Sequence, residues 1–177
     1  MSTHAILTAI GADRPGLVDE VSEFIFSRGG NVEDSRMVNL RGQFAMMVLV
    51  SGNDQALARL RSEAWQLQQQ SGLQVELRPA TAAPTGPSAQ AIPYRLIATA
   101  IDQPGLIHRI SHLLRSGNIN IESLDTRLTS APITGAPVFE MELVISIPAA
   151  VSIAKLRSDI ATVCNELNMD FQLAPIS

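Results

Sequence analysis

The chain has 177 residues, of which 46% are hydrophobic and 17% charged, proportions that exclude a disordered chain and favour a packed fold. Its net charge of −4, its scattered arginines and its 4% of aromatic residues argue against direct binding to nucleic acid, which needs clustered basic side chains and stacking surfaces. No apolar run reaches the roughly 18 residues of a membrane span. We expect no secretory leader and no membrane partner, and the single cysteine, Cys164, fits a reducing cytoplasm.

The first half of the chain predicts six elements in the order βαββαβ. The apolar segment HAILTAIGA predicts a strand, and the helix that follows has apolar residues every three or four positions. Two strand-like segments joined near Arg41 and Gly42 predict a tight hairpin. A second helix is expected to begin at Asn53 or Asp54 and to end at Gly72, and the alternating segment LQVELRP predicts the last strand.

The second half of the chain repeats the first half in register. Asp102 stands 89 residues after Asp13 in the same Asp-x-Pro-Gly motif. The spacing grows to 95 between Phe44 and Phe139, because the second copy carries an insertion at residues 129–137. The insertion is either a loop that contacts a partner or variation without function. A repeat this long indicates two copies of one domain. We predict domains at residues 1–79 and 93–177, joined by an uncharged, proline-rich linker at residues 80–92.

This element order predicts the α+β fold class, with each copy forming a ferredoxin-like domain. Right-handed crossovers place four antiparallel strands in one sheet and both helices on one of its faces. The other face and the edges of such a small sheet lack cover. We expect the two copies to meet through their sheets, edge to edge or face to face. The same surfaces could pair two chains in a homodimer.

Each copy contains an Asp-x-Pro-Gly turn between its first strand and its first helix. Pro15 is expected at the first helical position, where its missing N–H costs nothing, and Asp13 is expected to cap the free N–H groups. Gly16 leaves room for a ligand beside a helix N-terminus, which attracts carboxylates. The turn is therefore either a helix start alone or also a binding site for an amino acid.

The segments GADRPGLVDEV, GGNVEDSRM and FAMMVLVSG resemble the ACT domain, a small-molecule-sensing βαββαβ module, and the resemblance covers nearly the whole chain. It implies a regulator and not an enzyme, with no cofactor and with a small amino acid, glycine first, as its ligand. It also implies a ligand between the strand–helix loop of one copy and the second strand of its neighbour. The residues that the resemblance assigns to ligand binding are Asp13, Arg14, Pro15, Gly16, Asn31, Val32, Asp102, Gln103, Pro104, Gly105, Asn120 and Ile121.

The tandem arrangement, without any other domain, is similar to that of a family of repressors of the glycine cleavage genes. That similarity implies contact with a LysR-type transcriptional activator and no direct contact with DNA, in agreement with the acidic, unclustered charge. Regulatory subunits of amino-acid metabolic enzymes also use paired ACT domains, so this alternative stays open. Gln103 stands where the first copy has Arg14, so the two copies need not bind a ligand equally.

Three other patterns have simpler explanations. His108 and His112 stand four apart on a predicted helix, but they lie off its apolar stripe and no third ligand is evident, so we predict no metal site. Cys164 has no histidine beside it and is expected to be an ordinary packed thiol. An acylphosphatase-like enzyme shares the βαββαβ order, but its phosphate loop needs an arginine that only one copy has, at Arg14, so we predict no catalytic residues.

Overall fold

The helices and strands of the chain follow one another in the predicted order. A computed structural model describes residues 3–80, 91–132 and 134–176, and the predicted linker, residues 80–92, falls largely outside the described residues. The elements of the first copy are β1 (Thr3–Ala12), α1 (Leu17–Phe26), β2 (Asn31–Leu40), β3 (Gln43–Gly52), α2 (Asp54–Ser71) and β4 (Gln74–Pro79). Those of the second copy are β5 (Ile92–Ile101), α3 (Leu106–Ser116), β6 (Asn120–Ser130), β7 (Pro137–Ile147), α4 (Ile153–Glu166) and β8 (Asp170–Pro175).

Each copy forms one four-stranded antiparallel sheet. The strand order is β2-β3-β1-β4 in the first copy and β6-β7-β5-β8 in the second. Every neighbouring pair in these two sheets is antiparallel. The chain divides into two compact units, Met1–Ala83 and Pro84–Ser177, which we call the first and the second unit. The predicted α+β class and the two ferredoxin-like domains are confirmed.

Each unit has its own hydrophobic core between its sheet and its two helices. Alternate residues of β1, namely Ala5, Leu7 and Ala9, are buried, because successive side chains of a strand point to opposite faces. Leu96 and Ala98 of β5 occupy the matching positions and are buried as well. The helices thus cover one face of each sheet. We call the opposite face, which carries no helix of its own unit, the bare face.

The hairpin between β2 and β3 is as tight as predicted, and the insertion lengthens its counterpart. Arg41 and Gly42 have φ values of 50° and 79°, and two consecutive positive φ values are typical of the type I′ turns that join antiparallel strands. In the second unit, β6 ends at Ser130 and β7 begins at Pro137, and between them the N–H of Ala131 donates to the carbonyl of Ala136 at 2.8 Å.

The edge strands β2 and β6 carry a β-bulge at the same place. The pairing of β2 with β3 shifts between Val32 and Asp34, which leaves Glu33 as the extra residue. The pairing of β6 with β7 shifts in the same way around Glu122. An extra residue reverses the alternation of side chains beyond it. The bulge therefore sets which residues of each edge strand lie on the bare face.

Candidate functional site

The Asp-x-Pro-Gly turn of the first unit lines a groove between α1 and β2. The groove has a volume of about 500 Å³, and the four turn residues 13–16 lie together on one side of it. Met37 of β2 and Phe44 of β3 line the groove with them, as does the first turn of α1. Met37 is half exposed whereas Phe44 is buried. The groove thus joins a helix N-terminus to an apolar surface.

The prediction that Pro15 occupies the first helical position is wrong. Gly16 is the N-cap residue, with φ 93° and ψ −9°, and Leu17 is the first residue of α1. The first helical hydrogen bond runs from the N–H of Glu20 to the carbonyl of Gly16, at 2.9 Å. The N–H groups of the residues before Glu20 in this turn have no acceptor within the helix. The second unit begins α3 in the same way, with Gly105 at φ 97°.

The positive φ of the backbone, and not a lack of space for a Cβ atom, explains the two N-cap glycines. At φ values above 90°, residues with a side chain are strained, whereas glycine is not. A Cβ atom built on Gly16 would lie 3.7 Å from Oε1 of Glu20, and one built on Gly105 would meet nothing within 4 Å. The positive φ thus gives Gly16 a conformational reason, and its closeness to a ligand stays a prediction.

Asp13 does not cap α1 as predicted. The helix has no side-chain cap. Instead, Oδ2 of Asp13 accepts a hydrogen bond from Nδ2 of Asn39, and the Asp13 N–H donates to the carbonyl of Gly42 at 2.8 Å. In the second unit the N–H of Asp102 donates to Pro137 at 2.9 Å. The aspartate therefore fastens the turn to the neighbouring hairpin and leaves the helix N-terminus uncapped.

Arg14 joins the turn to both helices of the first unit. Its Nη1 and Nη2 lie 2.6 Å and 2.8 Å from the two carboxylate oxygens of Glu20, and Nη2 also donates to the carbonyls of Gln70 and Ser71 at the end of α2. Cations are favourable at a helix C-terminus. The hydrogen bond between Arg14 and Glu20 lowers the pKa of Glu20 and raises that of Arg14. The guanidinium therefore already has partners within its own unit.

The second unit fastens the same junction with different side chains. Nε2 of Gln103 donates to the carbonyl of Leu167 at 2.9 Å, after the end of α4. Arg109 stands at the position of Glu20 and pairs with Glu166. Two acidic residues lie in the first turn of α1, whereas the first turn of α3, which the structure describes completely, has none. The two helix starts thus present different charges to a ligand.

The predicted strand-start residues lie at the far end of β2 from the turn. Asn31 pairs with Ser51, whereas Asn39 pairs with Phe44 and contacts Asp13. The eight residue steps from Asn31 to Asn39 span roughly 25 Å in an extended strand. The structure therefore brings the turn residues together with one another, but not with Asn31 and Val32 of the same unit.

The strand start of the second unit lines a groove of its own. This groove, of about 370 Å³, contains Asn120 and Ile121 of β6 and Arg115 of α3. Nδ2 of Asn120 donates to Oε1 of Glu122 at 2.7 Å, and this bond, followed by one from Ser146, lowers the pKa of Glu122. An amide, a cation and a carboxylate thus lie close together. These groups suit the two charged ends of an amino acid.

The predicted set lacks several residues that line or adjoin these grooves, among them Met37, Asn39 and Arg115. Met37 and Asn39 face the helices from β2, and Arg115 lies in the last turn of α3. Alternation along β2 could have indicated the first two, but only with the position of the bulge at Glu33 known. Arg115 could have been found from its distance of five residues to Asn120, which spans only the turn between α3 and β6.

The remaining titratable candidates lie outside both grooves. The ring centroids of His108 and His112 are 6.0 Å apart. Within residues 3–80, 91–132 and 134–176, no three His, Cys, Asp or Glu side chains are grouped so that they could hold a metal ion. Cys164 is buried, and this burial raises the pKa of its thiol to about 11. None of the helices in the described part of the chain combines the length and apolar character needed to span a bilayer.

Comparisons with known proteins find a domain profile in the first unit and relatives that match part or nearly all of the chain. A family profile described as ACT domain matches residues 3–78. The glycine cleavage system transcriptional repressor of Escherichia coli strain K12 is 28% identical over 165 residues, which cover 93% of this chain and 86% of the repressor. A UPF0237 protein of Methanopyrus kandleri is 39% identical over 75 residues, which cover 41% of this chain and 83% of that protein.

Solved structures share the fold over the whole chain. An unknown protein from Galdieria sulphuraria superposes with a TM-score of 0.83 at 26% identity, over 100% of both chains. A candidate glycine cleavage system transcriptional repressor superposes with a TM-score of 0.74 at 21% identity, over 100% of this chain and 99% of its own. The second likeness, at this identity, concerns the fold alone.

Proposed function

Because an ACT-domain profile matches residues 3–78, we propose that the chain is a regulator of the ACT type that binds a small amino acid and acts by contact with another protein. In this proposal it represses transcription of the glycine cleavage system without binding DNA itself, and glycine is the first candidate ligand. The observation that supports it most is the 28% identity to a glycine cleavage system transcriptional repressor, which extends over 165 residues and both units. The ACT-domain match of the first unit and the equivalent strand order of the second unit also support the regulatory role.

The groove beside the first turn has groups for both ends of an amino acid. The uncapped N–H groups at the start of α1 suit the carboxylate. The carboxylate of Asp13, which lines the same groove, suits the ammonium group. In the second unit, Arg115 and Asn120 offer a cation and an amide. The proposed ligand residues are therefore the two turns, residues 13–16 and 102–105, and the two strand starts, residues 31–32 and 120–121.

Calorimetry with glycine, serine and alanine tests the ligand. We expect glycine to bind, and Asp13→Asn to weaken it about tenfold or more, because the amide still accepts from Asn39 but no longer pairs with an ammonium group. Asp34→Asn, an identical change on the bare face, is the matched control and should bind glycine normally. The absence of any heat of binding for all three amino acids at millimolar concentration would contradict the proposal.

The output is proposed to be contact with a LysR-type transcriptional activator in the cytoplasm, a location that stays a prediction. The net charge of −4 supports a protein partner over DNA. Affinity capture from the native host, with and without glycine, should retrieve this activator. Retrieval of an amino-acid metabolic enzyme in its place would favour the alternative of a regulatory subunit. A mobility shift of glycine cleavage promoter DNA by the purified chain alone would contradict indirect repression.

A further inference from the structure

The bare face of the first sheet is apolar at its centre and charged along both edges. The pairing of its strands arranges its residues in rows, each of which crosses β2, β3, β1 and β4 in that order. The first row consists of Asp34, Leu49, Ile6 and Arg78, the second of Arg36, Met47, Thr8 and Glu76, and the third of Val38, Ala45, Ile10 and Gln74.

The centre of this face is open to solvent. Ile10, Val38 and Met47 are each about half exposed. Val38 and Ile10 lie on either side of Ala45, and Met47 follows Ala45 on the same face of β3. With the partly exposed Ile6 and Leu49 they form one continuous patch. Contiguous apolar patches of this kind mark interaction sites on protein surfaces. A partner that covered this face would need an apolar centre of its own.

The matching face of the second unit has lost this apolar centre. Glu142 stands where the first unit has Met47, and Arg95 stands where it has Ile6. Nε of Arg95 and Oε1 of Glu142 lie 2.9 Å apart, and both side chains are about half exposed. Covering this ion pair with apolar side chains would remove both charges from water, a cost that their mutual attraction offsets only in part. The apolar bare face of the first unit is therefore better suited to pack against another apolar face than against this charged one.

A second copy of the same face has complementary charges as well as an apolar centre. A twofold axis parallel to the strands, midway between two facing sheets, keeps every row at its level and reverses the order of the strands. β2 of one copy then lies over β4 of the other. Asp34 faces Arg78 of the second copy, and Arg36 faces Glu76 of the second copy. The apolar residues of β1 and β3 meet between these charged edges.

The ion pairs within one copy strengthen this match. Arg36 lies 2.5 Å from Asp34, and Arg78 lies 2.8 Å from Glu76. At each edge of the paired sheets, the Asp34–Arg36 pair of one copy lies over the Arg78–Glu76 pair of the other. The four charges form a cluster in which the signs alternate. Facing sheets pack about 10 Å apart, a gap that an arginine and a glutamate extending towards each other can span.

We propose that the bare face of the first unit forms a homodimer, in which two copies of the chain pack face to face about a twofold axis parallel to the strands. Four strands spaced about 4.8 Å apart and roughly 25 Å long give a buried area on the order of 1,000 Å² for both copies together. That area lies at the lower end for specific interfaces. The dimer should therefore dissociate on dilution. The proposal does not depend on the ligand.

Sedimentation and light scattering of the full chain over a dilution series test the dimer. We expect twice the chain mass of 19.0 kDa at high concentration and the single mass at low concentration. Met47→Glu, which gives this face the acid found at the matching position 142, should remain monomeric throughout. Ile97→Glu, on the bare face of the second unit, is the control and should dimerise normally. Circular dichroism melts establish that each variant is folded.

A charge exchange tests the direction of the axis. Arg36→Glu should weaken the dimer, because it places two acids opposite each other, and adding Glu76→Arg should restore it. Asp125→Arg, at the position of Arg36 in the second unit, should leave dimerisation unchanged. A native protein that is monomeric at every concentration would overturn the proposal, as would a dimer indifferent to Met47→Glu. Failure of the exchange to restore the dimer would overturn the proposed axis.

Discussion

Arg14 and Glu20 form a two-pronged ion pair across the turn that precedes α1, with nitrogen–oxygen distances of 2.6 Å and 2.8 Å. The same guanidinium donates to the carbonyls of Gln70 and Ser71, so it joins the turn to the ends of both helices. The arginine of this motif therefore has a structural role in the free protein. A ligand that used its charge would have to compete with Glu20.

Replacing Arg14 by methionine should raise the pKa of Glu20. The guanidinium holds this pKa below its usual value, mainly through the hydrogen bond. A lowered pKa stabilises the fold while the carboxylate is ionised, so the native protein should exceed the variant in stability above about pH 4.3, the usual pKa of an unfolded glutamate. This advantage should disappear as the pH falls through the lower pKa of the folded state. NMR titration of the Glu20 carboxyl measures the shift directly, and an unchanged pKa would contradict the assigned pair.

Gly16→Ala and Gly105→Ala should each destabilise their own unit by roughly 1–2 kcal/mol, the typical cost of a side chain in a left-handed conformation. The cause is the positive φ, because an added Cβ has room at both positions. Gly16→Asn should lower the free energy of unfolding by less than Gly16→Ala does, since asparagine tolerates positive φ better than alanine. Urea denaturation measures the three values. Equal stability of the native protein and Gly16→Ala would show that the backbone relaxes away from this conformation.

Leu60→Ala and Leu156→Ala should each cost about 2–5 kcal/mol, as expected for a large side chain removed from a packed core. The two leucines stand at matching positions of α2 and α4, and both are buried. Because each unit has its own core, the loss should stay in the unit that carries the change. Trp65, the single tryptophan, lies in α2 and reports on the first unit. The urea midpoint measured by its fluorescence should be lower in Leu60→Ala than in the native protein and unchanged in Leu156→Ala.

Cys164 should be inert towards thiol reagents in the folded protein at neutral pH. Burial raises the pKa of its thiol to about 11, so almost no reactive thiolate is present, and the sulfur is shielded as well. Labelling should become fast and stoichiometric in denaturant. Rapid stoichiometric labelling under native conditions, at a rate independent of stability, would contradict the buried position in α4.

The fold could be predicted because two independent signals agree. The repeat pairs Leu17 with Leu106 at the start of the two short helices, and both residues are buried where the apolar stripe places them. The position of the turn could be predicted, but its conformation could not. Proline generally favours the first helical position, whereas here the left-handed Gly16 is the N-cap and the helix begins after it, at Leu17. Contacts such as that of Arg14 with Ser71 join residues 57 apart in the chain, and no local pattern encodes them.

The bulge at Glu33 joins two stretches of β2 that each alternate regularly between the faces of the sheet. Deleting this one residue would leave Val32 opposite Val50 and Asp34 opposite Leu49, so the strand would pair without a bulge. Met37 would stay beside the turn, and Arg36 would stay on the bare face. A single-codon deletion at this position should thus spare both surfaces of the strand. The second half of the chain has the same bulge at Glu122, so each edge strand can lose one residue there without exchanging its two surfaces.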